Sequence, residues 1–179
     1  MKYKVKYNAN IMKIIIITGT PGTGKSTVSA LISEKLGFKH IDVKKLIKAY
    51  RLSEYYDKIM KCKVVDVKKL NKLLTAIIKS ERFKGTKGLV IDSHLSHYLP
   101  CKYVNLCIVT KCALAVLKKR LKKRNYSAKK VRENLDCEIF DICLVEATAA
   151  KHSCMIVDTT KGVNAAKILK QLKICLKWA

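Results

Sequence analysis

Residues 14–26, Ile14-Ile15-Ile16-Ile17-Thr18-Gly19-Thr20-Pro21-Gly22-Thr23-Gly24-Lys25-Ser26, decide the fold. Four isoleucines in succession read as a strand buried on both faces, and residues 19–26 complete a phosphate-binding loop. The loop glycines let successive N–H groups curl toward one anion where a Cβ would intrude. The helix that follows turns its positive end to the same phosphates. The pattern therefore predicts that Gly22, Thr23, Gly24, Lys25, Ser26 and Thr27 hold the phosphates of ATP. Lys25 reaches the β and γ oxygens, and the Ser26 hydroxyl ligates Mg²⁺. Beyond the loop, Val28, Leu31, Ile32 and Leu36 recur at helical spacing, with Gly37 as a stop.

Short apolar strands alternate with amphipathic helices along the whole chain. Strands are expected at Ile14–Thr18, Phe38–Ile41, Leu89–Asp92, Tyr103–Val109 and Met155–Val157. The clearest later helices are Val67–Lys79, behind a possible Asp66 cap, and Ala165–Leu176. The expected fold class is α/β, a five-stranded parallel sheet with helices on both faces. No repeat and no Pro/Gly/Ser-rich linker divides the 179 residues, so 1–179 is read as one domain. Residues 1–11 are read as an arm or a start-site artefact, because Met12 would serve equally well as initiator.

Composition narrows the partners. The chain carries 38 basic against 13 acidic residues, a net charge of +25, with lysines spread along its length. RNA or another polyanion fits that balance, and so does a merely solvated lysine-rich surface. No segment is apolar enough for a membrane span or a signal peptide, which gives the expectation of a cytoplasmic protein with no membrane partner. Eight cysteines occur. Cys101, Cys107, Cys112, Cys137 and Cys143 form no metal-type pair, and Cys107, Cys143 and Cys175 are expected on apolar faces or strands.

Three further features carry chemistry. The apolar run Leu89-Val90-Ile91 ends in Asp92, at the strand edge where open α/β sheets bind ligands, so Asp92 is the second candidate for Mg²⁺. His94, two residues on, could orient a water or the transferred group, or sit quietly at the sheet edge; His97 reads as structural. Of five arginines in the chain, Arg120, Arg124 and Arg132 fall within thirteen residues. Such forks grip phosphate oxygens, which suggests a mobile lid over ATP; solvated helix-surface arginines would give the same count. Between Asp42 and Val65, a stretch rich in Lys and Tyr lies where an acceptor flap would sit, although a helical surface insertion would look similar.

Together these residues resemble the small atypical adenylate kinases, the nuclear sixth isoenzyme and its archaeal counterparts. The likeness covers about residues 13–178. It rests on residues 19–26, on His40-Ile41-Asp42-Val43 with Leu46, on Val90-Ile91-Asp92-Ser93-His94, and on Leu117 to Arg124. Most specific is Arg124-Asn125-Tyr126-Ser127 continuing through Lys130, Glu133-Asn134, Cys137-Glu138-Ile139 and Glu146-Ala147. The resemblance implies the P-loop nucleoside-monophosphate kinase fold, with an acceptor flap at about 42–65 and a lid at about 123–133. It implies catalytic roles for Lys25, Asp92, His94 and Arg124, the histidine being linked to ATP hydrolysis. It also puts Arg124 at ATP, where the arginine cluster places Arg120 as well, and Asp42, Val43 and Lys48 at the acceptor.

The activities implied are phosphoryl transfer from ATP to AMP or a related monophosphate, and an ATPase role in small ribosomal subunit maturation with a ribosomal protein as partner, to which the basic charge adds rRNA. Three positions depart from the family pattern. Lys45 and Lys48 stand where the flap commonly has an acid and an arginine, and Asn125 replaces a glycine. Asn tolerates the left-handed backbone, so the lid turn should survive. An ATP-switched assembly factor with incidental kinase activity is the alternative; a metabolite kinase acting on a hydroxyl would need a general base as well.

Overall fold

The run of isoleucines is the middle strand of a five-stranded parallel sheet. In the computed structural model, which describes residues 12–58 and 62–176, this strand is β1 (Lys13–Thr18). The expected arm at residues 1–11 lies outside the described residues. Strand β5 (Gly88–Asp92) pairs with β1 on one side and β6 (Leu106–Lys111) on the other. Strands β2 (Lys39–Asp42) and β7 (Cys154–Asp158) close the order β2-β5-β1-β6-β7. Alternation splits the isoleucines between two cores. Ile14 and Ile16 pack with Leu70, Leu74 and Ile78 of α3 (Val67–Phe83) and with Ala147 of α6 (Ile142–Ala149). Ile15 and Ile17 pack with Val28 and Ile32 of α1 (Lys25–Leu36) and with Ile168 and Leu172 of α7 (Ala165–Cys175). Each of these wholly buried isoleucines stabilises the fold by about 1.5–3 kcal/mol relative to an exposed one.

Parallel register brings the polar strand ends to one edge. Ile17 pairs with Asp92, Asp42 with Asp92, and Thr18 with Val109. From β1 the chain passes to the edge strand β2, returns to β5 beside β1, then crosses to β6 and β7 on the other side, so the direction of winding switches at β1. A crevice at the carboxyl ends is the consequence.

Sequence and structure differ where turns override apolar pattern. The strand expected from Tyr103 begins at Leu106, because Tyr103 N and Val104 N donate to Pro100 O and Cys101 O in a tight turn. The helix behind Asp66 runs on to Phe83, and Asp66 caps it by accepting from Lys69 N at 2.9 Å. Gly37 takes the left-handed conformation at the end of α1, as expected. Cys107 is buried, but Cys175 is exposed, on the solvent side of α7 rather than in the core.

The stretch after Asp42 is ordered secondary structure: helix α2 (Val43–Ala49), then an antiparallel hairpin of β3 (Ser53–Asp57) and β4 (Cys62–Val65). Tyr55 and Tyr56 on the hairpin are exposed. Residues 123–133 span the turn from α4 (Leu114–Lys123) into α5 (Ala128–Ile139), so most of the expected lid is helix. Leu117, Leu121 and Val131 give this helical hairpin a small core of its own. Asn125 sits in its turn at φ 55°, the left-handed conformation its residue type tolerates.

At Gly88, an added Cβ would lie 2.5 Å from the Phe38 ring. Gly88→Ala is therefore expected to lower stability by about 1–3 kcal/mol in urea unfolding. Phe38→Leu in the same chain should recover part of the loss; an additive double mutant would count against this contact.

Candidate active site

The phosphate loop is held open by packing from outside. Gly22 has φ 98°, and a Cβ there would meet Leu117 Cδ1 at 2.9 Å and Leu121 Cδ2 at 3.2 Å. Helix α4 thus lies directly against the loop, which is a second reason for glycine at this position. Hydroxyls tie the loop to the sheet. Thr23 Oγ1 donates to Thr20 O at 2.7 Å and lies 2.7 Å from Thr110 Oγ1, at the end of β6. Gly24, the residue before helix α1, supplies no side-chain cap. The N-terminal amides of α1 are a seat for an anion.

Lys25 Nζ donates to the carbonyls of Gly19 (2.7 Å) and Thr20 (3.0 Å), which hold the ammonium against the loop. Burial pushes its pKa down from 10.5 to about 8, with Lys44 and Arg124 adding repulsion while Cys143 and Asp92 oppose the shift. Asp92 is buried at the tip of β5, and His40 Nε2 lies 3.9 Å from its Oδ2. His94 stands open to solvent beside it. Crowding by protein atoms, then the fields of Lys25 and Lys44, pull its pKa down to about 4, so the ring is neutral at pH 7. Ser26 is exposed at the start of α1. A hydroxyl on one side and a carboxylate on the other are oxygen donors of the kind Mg²⁺ takes.

Arg120 and Arg124 do not act as an equal pair. Arg120 is folded back: Nη1 donates to Thr159 Oγ1 (3.1 Å) and Gly22 O (3.4 Å), and Nη2 to Thr159 O (2.8 Å). Arg124 ends α4 as an exposed residue, and its charge is felt at Lys25. Arg132 pairs along α5 with Asp136 at 3.0 Å and belongs to the solvated surface. On the other side of Asp92, Asp42 caps α2 by accepting from Lys44 N (2.9 Å) and Lys45 N (3.3 Å). Val43 is wholly buried in the core, so any acceptor contact it makes is through its backbone. Lys48 is exposed near the far end of α2.

Two supports escaped the sequence. Glu138, on α5, accepts from Thr20 Oγ1 (2.6 Å) and Cys112 N (2.9 Å), joining loop, sheet edge and helical hairpin in one buried node. Thr159, just past β7, donates to Thr23 O at 2.7 Å while receiving Arg120. The only signal for Thr159 was a polar residue at a strand's carboxyl end, and Glu138 offered none beyond its place in the family string. His97 is structural, as read: buried, with Nδ1 2.7 Å from Thr18 Oγ1 and Nε2 2.9 Å from Glu146 Oε2.

Residues 15–141 match the AAA domain family. A Methanocaldococcus jannaschii protein named "Putative adenylate kinase" is 40% identical over 173 residues, covering 92% of this chain and 92% of its own length. The "Adenylate kinase isoenzyme 6 homolog" of Caenorhabditis elegans is 39% identical over 134 residues, 74% of this chain and 71% of its own. The chain belongs to this family of atypical adenylate kinases. Among solved structures, a Janibacter sugar kinase matches with a TM-score of 0.62 at 13% identity, over 94% of this chain and 96% of its own. Deoxyadenosine kinase from M. mycoides with bound dATP matches at 0.56 and 18%, over 90% and 99%. At such identities these two speak for the fold of the family, a phosphate loop on a parallel α/β sheet.

Because Lys25 loses its proton near pH 8 in the free protein and a bound polyphosphate favours the charged form, ATP affinity should fall as pH rises through 8. Calorimetric titrations should show a loss of up to about tenfold between pH 8 and pH 9. A flat profile would contradict the depressed Lys25. Glu138→Ala leaves a buried hydroxyl and amide without their acceptor and should cost about 1.5–3 kcal/mol or more in unfolding experiments.

Proposed function

We propose that this family member transfers the γ-phosphoryl group of ATP to AMP or a related nucleoside monophosphate. The observation that carries the reading is the strand order itself. Phosphate loop, Asp92 with His94, and the capped start of α2 follow β1, β5 and β2, three adjacent parallel strands, at one edge. Donor, metal and acceptor would then stand in line across the crevice.

In the transfer, an oxygen of the acceptor phosphate forms a bond to Pγ as the bond from Pγ to the β–γ bridging oxygen breaks, and ADP leaves on both sides. No proton must be removed from an anionic acceptor, so alignment and charge neutralisation suffice. Lys25 and the loop amides hold the β and γ oxygens. Ser26 and Asp92 would hold Mg²⁺, which when bound neutralises charge on those oxygens. Residues 42–65 act as acceptor flap and the α4–α5 turn as lid. Arg124, exposed at the end of α4, would swing onto the transferring group, while Arg120 supports the loop from behind.

A second reading is ATP hydrolysis coupled to small ribosomal subunit maturation, with His94 holding the attacking water as a neutral imidazole. The net charge of +25 favours an RNA or RNA–protein partner, as do the exposed Lys118, Lys119, Lys122 and Lys123 along α4. ADP formation from Mg-ATP, with and without AMP, separates the readings. Wild-type protein should show a large AMP-dependent rise that Lys25→Ala abolishes. His94→Ala should reduce hydrolysis more than transfer, and equal losses would remove its water-holding role. If AMP changes nothing while slow Lys25-dependent hydrolysis persists, the assembly reading replaces the kinase reading.

A further inference from the structure

Helix α2 offers three lysines to an acceptor phosphate: Lys44, Lys45 and Lys48. The family pattern points to Lys48, where an arginine is usual. The geometry points elsewhere. Asp42 ends β2 in register with Asp92, and its carboxylate fixes the first turn of α2 by accepting from Lys44 N. Lys44 is therefore held two residues from the strand end. Lys48 is one turn on, about 6 Å farther along the helix axis at 1.5 Å per residue. The two lie on the same side of the helix, with Lys45 turned roughly 100° away.

The Lys44 side chain is exposed and enters none of the ion pairs formed among the described residues. The ATP phosphates occupy the loop after β1. Lys44 follows β2, with β5 and Asp92 between, so its anion is a second one.

We infer that Lys44 is the specificity-determining residue of the flap, holding the phosphate of an acceptor nucleoside monophosphate on the opposite side of Asp92 from the phosphate loop. This rests on the phosphoryl-transfer reading above. As a compact point charge on a flexible stem, it selects for a terminal phosphate dianion without imposing the two-pronged geometry of an arginine fork.

The test measures steady-state ADP formation at varied AMP and varied ATP, with equilibrium AMP binding, for wild type, Lys44→Ala, Lys44→Arg and Lys48→Ala, all checked for folding by circular dichroism. Loss of one charged phosphate contact predicts a rise of about tenfold or more in the AMP KM of Lys44→Ala. The ATP KM should stay near the wild-type value, Lys44→Arg should recover most of the loss, and Lys48→Ala should have the smaller effect. Equal rises in both KM values would put Lys44 on ATP and overturn the inference, as would a Lys48→Ala effect exceeding that of Lys44→Ala. In both cases wild-type transfer stands. A wild type that neither transfers to nor binds AMP overturns the transfer reading and the Lys44 assignment together.

Discussion

The hydroxyl of Thr23, seated between Thr20 O and the hydroxyl of Thr110, is the contact on which the site depends. Within the loop, Lys25 Nζ donates to the carbonyls of Gly19 and Thr20. The fold fixes the loop further by attaching it to its surroundings: Thr23 to β6, Thr23 O to Thr159, Thr20 to Glu138, and Gly22 to the leucines of α4. Each tie is buried and each polar atom in it has a partner, which makes the loop stiff before any ligand arrives. Preorganisation of this kind lets binding energy act on the phosphates instead of on ordering the protein.

These ties also unite the loop with the helical hairpin that carries Arg124. Arg120 on α4 and Glu138 on α5 both end on loop residues, so the hairpin is anchored at two points and only its turn projects. A lid that moves as a whole would have to break buried hydrogen bonds to charged groups, each worth about 1.5–3 kcal/mol. Motion confined to the turn around Asn125 avoids that cost. The electrostatics follow the same plan. Lys25, Lys44 and Arg124 converge from three separate elements, and their mutual repulsion leaves the free site poised for anions.

Much of this was legible in advance because it depends on local pattern. Four successive isoleucines announce a strand covered on both faces, and the glycine spacing that follows has one common use. Asp92 was readable as the end of an apolar run, Asn125 as a residue able to turn left-handed, and Asp66 as a cap. The hairpin of β3 and β4 was not, since its exposed Tyr55 and Tyr56 bury too little surface to leave an alternating signature. Arg120 was read as a phosphate ligand from its type. Whether a guanidinium faces ligand or protein depends on what lies across the gap, here Thr159, just past β7 and 39 positions away.

By itself the sequence determined the fold class, the phosphate loop and the line of descent, because periodicity and a contiguous motif are properties of neighbours along the chain. Only the tertiary structure decided which polar residues meet. Glu138 reaches Thr20 across 118 positions, Thr159 reaches Thr23 across 136, and Asp42 comes level with Asp92 through sheet register. Hydrogen bonds and charge fields act over a few ångströms of space without regard to separation along the chain, and strand order together with the packing of helices sets which distant residues come that close.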